Sequence, residues 1–312
     1  MRVLLINDYG MPTGGAEILT LRLRDALRGA GHEALFFSST AGGDREKLES
    51  DVQCHGSSGT RGMLLQVWNP FAATKLRRLL KEFRPDVAHV GLFLTQLSPS
   101  ILPVLRRVPT IYHAHWYRAI CPTGSKRQPD GTICQVPAGL VCARVGCIPP
   151  QDFVPLQIQA RLLARWKSVF RLILADSDWL KRRLEAENFG SAEVVWNGVD
   201  ICPARPALGA DPVVAFAGRM VPEKGLRVLL EAFRQLLDQL PKARLLLLGD
   251  GIERQSLEAT IIRLKLTDAI TWKPWLPHPE MQNFLTPSWV QVVPSLWEEP
   301  FGMAAIDAMM RG

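Results

Sequence analysis

The sequence lacks long hydrophobic runs. Its longest strongly apolar segments, Val213–Ala217 and Leu245–Leu248, are much shorter than the ~20 residues that cross a bilayer. The amino-terminal stretch Met1–Ile6 is also shorter than the apolar core of about 7–15 residues in a secretory signal peptide. The sequence therefore predicts neither a transmembrane helix nor secretion by that route.

Cysteine is scarce as well. Six cysteines in 312 residues do not make a disulfide scaffold, and without a signal peptide the thiols are expected to be reduced. The chain has no zinc-finger spacing and no RNA-recognition signature, which disfavours nucleic acid as a partner. Neither Gly14-Gly15 nor Gly249-Asp250-Gly251 completes a GxGxxG motif, so a nicotinamide cofactor is poorly supported.

Positive charge is concentrated in one part of the chain. The net charge is +7, with 25 Lys/Arg and 18 Asp/Glu in residues 1–200 but 12 of each in residues 201–312. Such asymmetry is typical either of a solvated basic face or of attraction to a polyanion, such as an acidic membrane surface. Within the basic part, Lys75–Lys81 mixes cations and leucines at helical spacing, which favours an interfacial helix.

Short apolar runs alternate with helical patterns along the chain. Strands are predicted at Arg2–Ile6, Ala34–Phe37, Val87–Val90, Val108–Tyr112, Leu172–Ala175, Val194–Trp196, Val213–Ala217, Ala243–Leu248, Ile270–Trp272 and Val290–Val293, and helices at Ala16–Leu27, Gly225–Leu240, Ile252–Leu264 and Pro279–Leu285. Continuous apolar strands separated by helices predict parallel sheets that are covered on both faces. The segment Cys202–Pro212 is rich in Pro, Gly and Ala, which indicates a linker. We therefore expect an α/β protein of two Rossmann-like domains facing a cleft, at residues 1–200 and 213–312, joined by a linker at 201–212.

Two cations flank the loop that follows the first predicted strand of the second domain. Arg219 and Lys224 lie five residues apart between Gly218 and Gly225, where a helix opens. A helix amino terminus and nearby cations both favour negative charge, so this loop suits a diphosphate. An ordinary strand–loop–helix turn with surface cations is the alternative. Gly14 and Gly15 occupy the matching loop of the first domain, where glycines let the backbone approach a ligand closely.

The segment Pro294–Met309 contains two acidic residues that are candidate ligand contacts. Glu299 lies just before the helix that begins near Gly302, and Asp307 lies about one turn inside it. Carboxylates accept hydrogen bonds well from sugar and ribose hydroxyls. Helix capping by acids is the alternative explanation, and it accounts better for Glu299 than for Asp307.

The remaining chemical signal is a group of four cysteines. Cys121, Cys134, Cys142 and Cys147 fall within 27 residues, at spacings of x12, x7 and x4. Zinc takes about four nitrogen or sulfur ligands, but these spacings contain no CxxC pair. Both a structural zinc site and reduced, partly buried thiols are consistent with this pattern.

These motifs together resemble the retaining, nucleotide-sugar-dependent glycosyltransferases of family 4 (the "glycosyl transferases group 1" kind), which have the GT-B fold. The matching pieces follow the family's order along the chain: GGAE at 14–17, a histidine segment at 113–122, Asn197–Asp200, the GRxxxxKG stretch at 218–225, Gly249–Gly251, and an E-x7-E-like element that starts at Glu299. The resemblance covers the whole chain. Similar enzymes also carry a cysteine-bearing loop after HxxxxxCP.

The resemblance implies roles for individual residues. Arg219 and Lys224 would clamp the donor diphosphate with Gly218, while Glu299 would contact the sugar beside Phe301 and Gly302. Asp307 would bind the ribose where the family has a second glutamate, so the contact would be looser by one methylene. His115 would lie near the donor sugar; because Trp116 replaces the aspartate that many relatives have after this histidine, His113 is the alternative. Gly14 and Gly15 would also border the donor.

The resemblance also implies the reaction. A sugar would pass with retention from a nucleotide-diphosphate donor to a glycan, lipid-linked or small-molecule acceptor, with no cofactor or catalytic metal. A donor phosphate oxygen would accept the proton, and preorganised cations would stabilise the leaving group. We expect a cytoplasmic enzyme of polysaccharide or glycolipid synthesis, peripheral at the inner membrane face if the basic domain binds anionic lipid.

The carboxyl-terminal domain looks short for this family. Relatives continue beyond the position of Arg311-Gly312 with further strands and helices, so we expect a domain that is truncated at its end. The alternative function is therefore a catalytically inactive fragment or scaffold that acts as a binding module, and turnover of a donor would distinguish the two.

Overall fold

The structure is a computed structural model of the chain, and it describes residues 1–12, 14–41, 47–56, 59–201 and 206–312, with the backbone alone at 59–61, 278 and 279. The chain divides into two compact units, Met1–Asn197 and Gly198–Gly312. Each unit is an α/β layer structure with a parallel sheet, as two Rossmann-like domains require. Of the expected linker at 201–212, residues 202–205 lie outside the described residues and 206–211 are exposed.

The first unit is built on seven parallel strands. They are β1 (Arg2–Tyr9), β2 (Glu33–Ser39), β3 (Val52–Cys54), β4 (Val87–Val90), β5 (Thr110–Ala114), β6 (Phe170–Ala175) and β7 (Glu193–Val194), in the sheet order β3-β2-β1-β4-β5-β6-β7. Its helices are α1 (Gly15–Gly29), α2 (Gly59–Val67), α3 (Pro70–Phe83), α4 (Leu102–Leu105), α5 (Leu140–Arg144), α6 (Pro150–Trp166) and α7 (Asp178–Ala186). The strand order reverses beside β1, between β1 and β4, which is where ligands bind in folds of this kind.

The second unit has four parallel strands, β8 (Val213–Ala217), β9 (Arg244–Leu248), β10 (Ile270–Lys273) and β11 (Val290–Gln291), in the order β10-β9-β8-β11. Its helices are α8 (Leu226–Gln239), α9 (Arg254–Arg263), α10 (His278–Leu285) and α11 (Met303–Arg311). The core forms where α8 and α9 cover one face of the sheet. Leu226, Leu229, Leu230 and Phe233 recur at helical spacing on α8 and are all buried there.

Most predicted strands are present, with shifted ends. Both ends of β5 shift, because it begins at Thr110 rather than Val108 and runs to Ala114, so His113 lies inside the strand. Pro109 explains the late start, because it has no N–H for the ladder. Conversely, the predicted strand Val290–Val293 is reduced to Val290–Gln291, just before Pro294. The sequence pattern missed β3 and the long helix α6.

The interfacial helix predicted at Lys75–Lys81 is instead an ordinary helix of the first unit. It forms part of α3, which Asn69 caps by accepting the N–H of Ala72. Leu76 and Leu79 are buried in the core, so these leucines are not available to a membrane and the interfacial interpretation is wrong for them. Across the described parts of the chain, no helix has the length and apolar character that a bilayer crossing demands.

Candidate functional site

The carboxyl ends of β1, β4, β5 and β6 lie side by side in the first unit. Two polar residues late in β1 hold the loop that follows β4. Asn7 Oδ1 accepts the N–H of Leu92 at 2.6 Å. The buried Asp8 carboxylate accepts the N–H groups of residues 95, 96 and 97, each at 2.8 Å, and the hydroxyl of Thr95. These bonds give this edge of the sheet a fixed shape.

His113 and His115 share a single carboxylate at this edge. Asp176 follows β6 directly; its Oδ1 lies 2.9 Å from His113 Nε2 and its Oδ2 lies 3.0 Å from His115 Nδ1. All three side chains are at most 10% exposed. The structure therefore brings together the two histidines that the sequence offered as alternatives. Sequence reasoning missed Asp176, although an acid directly after a strand is a detectable signal.

The same three side chains have their ligand atoms within 4.8 Å of one another, and they form the group with metal-binding spacing among the described residues. A third imidazole, His89 on β4, packs edge-on against His113 with ring centroids 5.3 Å apart. Burial lowers the pKa of His89 to about 3, and the charges of His113 and His115 add to this effect. Burial also lowers the pKa of His113, against the opposing effect of Asp176.

Acid should therefore destabilise the chain. A histidine whose pKa is lowered by folding takes up its proton more readily when unfolded, so the stability it contributes is lost as the pH falls below 6.5. For His89 this loss continues down to about pH 3, at up to about 1.4 kcal/mol per pH unit. Urea denaturation between pH 7.5 and 4.5 should show the wild type losing stability more steeply than His89→Asn. His32→Asn, which lies outside this cluster, is the matched control; an identical acid slope in the wild type and His89→Asn would contradict the prediction.

The amino terminus of α1 carries the two glycines predicted to border the donor. Gly14 is the extended residue preceding the helix, and Gly15 is exposed at its first position. A Cβ on Gly14 would lie 2.5 Å from Oε2 of the buried Glu17. A side chain at position 14 would therefore require the Glu17 carboxylate to move.

In the second unit, two of the predicted site residues meet. Lys224 Nζ lies 2.5 Å from Glu299 Oε1, although 75 residues separate them, and both side chains are 19% exposed. Ser295 also donates a hydrogen bond to Glu299, and the Lys224 ammonium lies 5.7 Å from the centre of the Trp297 ring. Burial raises the pKa of Glu299, but the Lys224 charge and the hydrogen bonds outweigh it and hold that pKa below its usual range. The carboxylate is therefore ionised at neutral pH.

The close approach of two chain segments creates this pair. Gly225 has φ +68°, in the left-handed region that favours glycine, and a Cβ there would lie 2.0 Å from the carbonyl oxygen of Pro294. The N–H of Leu296 donates to the Glu223 carbonyl at 2.8 Å. Only the missing side chain at 225 allows the loop after β11 to pass so near the loop after β8.

Arg219, the other predicted cation of this loop, lacks the ion pair that Lys224 makes. Arg219 is exposed, and it makes no hydrogen bond or ion pair with any residue that the structure describes. It follows Gly218, whose N–H donates to the Leu248 carbonyl at 3.0 Å. Its guanidinium therefore retains all of its donors for a ligand.

The predicted sugar and ribose contacts lie around the start of α11. Gly302 is the N-cap of this helix, Phe301 precedes it and is partly buried, and Asp307 is the fifth helical residue and also partly buried. At the far end of the helix, the buried Arg311 donates hydrogen bonds to Gln282 and Gln291. Through Arg311, α11 is held against α10 and β11.

The four cysteines of the predicted zinc group are free thiols. Burial raises the pKa of Cys142 and Cys147, so both are protonated at neutral pH. None of Cys121, Cys134, Cys142 or Cys147 belongs to the group with metal-binding spacing found in the described part of the chain. A structural zinc at these cysteines stays a prediction.

Two family models match the chain. Glycosyltransferase Family 4 matches residues 13–201, and Glycosyl transferases group 1 matches residues 203–312. Among curated proteins, a 2-deoxystreptamine glucosyltransferase of Streptomyces kanamyceticus is 36% identical over 101 residues, 32% of this chain and 26% of the relative. A D-inositol 3-phosphate glycosyltransferase of Segniliparus rotundus is 35% identical over 135 residues, 38% of this chain and 30% of the relative. The chain thus spans less than a third of the length of these two relatives.

Solved structures match over a longer range. The Anabaena protein Alr3699/HepE, in complex with UDP and glucose, superposes with a TM-score of 0.67 at 19% identity, covering 100% of this chain and 78% of that one. At this identity the likeness bears on the fold alone. The first family model covers more than half of the chain, and together the two models cover nearly all of it. The chain therefore belongs to glycosyltransferase family 4, of the group 1 kind, and has the GT-B fold.

Proposed function

We propose that this protein is a retaining glycosyltransferase that takes a sugar from a nucleotide-diphosphate donor. The observation that carries the proposal is the Lys224–Glu299 pair at the carboxyl edge of the second sheet. It places a cation beside a carboxylate that stays ionised. A nucleotide sugar presents a diphosphate next to sugar hydroxyls, and these two groups are the natural partners of an ammonium and a carboxylate.

In this proposal, Lys224 and Arg219 neutralise the charge that develops on the leaving diphosphate. Because the cations are held in place before reaction, they stabilise the transition state without reorganising. Glu299 accepts hydrogen bonds from the donor sugar, and Asp307 accepts them from the ribose. Family 4 enzymes use nucleotide-sugar donors without a required metal, so no metal is assigned a step.

On the acceptor side, His115 lies near the transferred sugar and a donor phosphate oxygen accepts the acceptor's proton. The acceptor is a glycan, a lipid-linked sugar or a small polar molecule. The basic surplus of residues 1–200 supports attraction of an anionic acceptor or surface, since surface charge steers oppositely charged partners.

A thermal-shift panel of UDP-, GDP- and ADP-sugars tests donor binding on the full chain. A donor at about 100 times its Kd stabilises the state that it binds by about 2.7 kcal/mol, which the melting temperature reports. Asp307→Ala should lose most of the shift with the preferred nucleoside diphosphate, while Asp307→Glu should keep it. Asp268→Ala removes an acid elsewhere in the same unit and is the matched control.

Turnover completes the test. Release of the nucleoside diphosphate from the stabilising donor, with retained configuration in the product, is the expected result. A chain that binds no donor would contradict the proposal. A chain that binds a donor without hydrolysis or transfer to any acceptor would also contradict it and would instead be a binding module.

A further inference from the structure

The His113–Asp176–His115 cluster has a feature that the proposed transfer does not explain. Both carboxylate oxygens of Asp176 are occupied by imidazole nitrogens, at 2.9 Å and 3.0 Å. The arrangement follows from the sheet register, because Ala114 of β5 pairs with Ala175 of β6. His115 directly follows Ala114, and Asp176 directly follows Ala175. The pairing of the two strands therefore places them opposite each other.

The hydrogen bond with Asp176 determines which nitrogen of His115 carries the proton. Burial raises the pKa of Asp176, but the two neighbouring histidines, His115 above all, outweigh it and hold that pKa below its usual range. An ionised carboxylate has no proton to donate and can only accept. His115 Nδ1, 3.0 Å from Oδ2 and 3.1 Å from Oδ1, must therefore be the donor. In a neutral imidazole, Nε2 is then the lone-pair acceptor.

The free Nε2 lies beside a residue that has no side chain. A Cβ on Gly91, which follows β4, would lie 3.6 Å from His115 Nε2 and 3.2 Å from Asn7 Oδ1. With no side chain on Gly91, this nitrogen lies next to the Gly91 backbone, at the edge of the sheet where β1, β4 and β5 end. Asn7 Oδ1, which also lies near Gly91, accepts the N–H of Leu92. A ligand hydroxyl at this edge would meet the imidazole nitrogen that does not bond Asp176.

We propose that Asp176 is a positioning residue for His115. It fixes the ring orientation and the Nδ1–H tautomer, so that His115 offers Nε2 as a hydrogen-bond acceptor to a substrate hydroxyl; His113, on the other carboxylate oxygen, holds Asp176 in place. The inference rests on the proposed function for the nature of the substrate. The tautomer itself is a property of the protein alone.

Nitrogen-15 NMR of histidine-labelled full chain reads the tautomer directly, with His115→Gln to assign the signal. At pH 7.5, His115 of the wild type should show a protonated Nδ1 and an unprotonated Nε2. In Asp176→Asn the side chain offers a donor as well as an acceptor, so the Nε2–H form should appear. Asp178→Asn, an exposed acid two residues further on, is the matched control and should leave the signal unchanged.

Steady-state kinetics with the donor that the thermal-shift panel identifies supply the second readout. Loss of the carboxylate partner of a metal-bound histidine typically costs 10–100-fold. By analogy, Asp176→Asn should lower kcat by about that factor with little change in the donor KM. His115→Gln should lower kcat similarly, and the double variant should lose no more than either single variant. If Asp176→Asn does not fold, Asp176→Glu, which keeps an acceptor, should retain the Nδ1–H tautomer and more of the activity than His115→Gln.

An unchanged His115 tautomer in folded Asp176→Asn would overturn the inference, as would an Nε2–H form in the wild type. The NMR result does not depend on turnover. A wild type that turns over no donor but shows the Nδ1–H tautomer would contradict the proposed function and still support the assignment of Asp176.

Discussion

Replacing Lys224 with alanine is expected to lower kcat/KM by about 30- to 1000-fold, the equivalent of about 2–4 kcal/mol of transition-state stabilisation. The ammonium is the cation held at the carboxyl edge of the second sheet, and it already neutralises Glu299 at 2.5 Å. Its loss removes positive charge from the leaving group and leaves a partly buried carboxylate without its partner. Steady-state release of the nucleoside diphosphate measures the effect.

A matched set of variants separates the loss of positive charge at the leaving group from the loss of the Glu299 ion pair. Lys242→Ala removes an exposed lysine from the same unit and should leave kcat/KM unchanged. Arg219→Ala should cost a similar factor to Lys224→Ala without loss of stability, because Arg219 makes no hydrogen bond or ion pair with the described residues. Near-normal turnover in both Lys224→Ala and Arg219→Ala would remove the diphosphate clamp from the proposal.

The ion pair itself is measured by a double-mutant cycle. Glu299→Gln should lower kcat/KM as well, and the double variant Lys224→Ala/Glu299→Gln should lose less than the sum of the two single losses, since groups in direct contact do not act independently. Strict additivity would show that Lys224 and Glu299 act separately on the donor.

Gly249→Ala is expected to destabilise the second unit by about 4 kcal/mol, the sum of overpacking and backbone strain. Gly249 has φ +131°, and a Cβ there would lie 2.0 Å from the carbonyl oxygen of Gly218. The neighbouring Gly251 is equally tight, since its Cβ would lie 2.3 Å from the Met220 carbonyl oxygen. Backbone atoms cannot rotate away as a flexible side chain can, so the loops after β8 and β9 would have to separate.

Urea denaturation, with hydrogen exchange to assign the loss to the second unit, measures this effect. Gly209→Ala is the matched control, because a Cβ on Gly209 would meet no atom within 4 Å. Donor affinity should fall together with stability in Gly249→Ala, because the displaced loop carries Arg219. Equal unfolding free energies for Gly249→Ala and Gly209→Ala would contradict the packing argument.

This close packing also corrects how the glycines are interpreted. In the sequence, Gly249-Asp250-Gly251 is an incomplete cofactor motif and one piece of the family resemblance. In the structure, Met220 donates its N–H to the Asp250 carbonyl at 2.9 Å, and the glycines permit that approach. Their role is to join two loops at one edge of the sheet. A contact between segments 30 residues apart leaves no periodic signal in either of them.

The fold class followed from sequence because buried parallel strands are largely apolar along their length. The runs Val87–Val90 and Val213–Ala217 therefore coincide with β4 and β8. The motif glycines and charges likewise selected Lys224 and Glu299 as candidate site residues. Local chemistry was sufficient for these conclusions, because strand burial and loop position are both determined by neighbouring residues.

Tertiary structure alone decided which groups meet. Strand register brings Asp176 to His113 and His115 across 61 or more residues of sequence, and the left-handed Gly225 allows Glu299 to reach Lys224. Packing likewise buried the leucines of α3 that had suggested a membrane surface. Each of these outcomes depends on atoms that are distant along the chain, so the physical reason for it lies in the packed sheet and not in any local pattern.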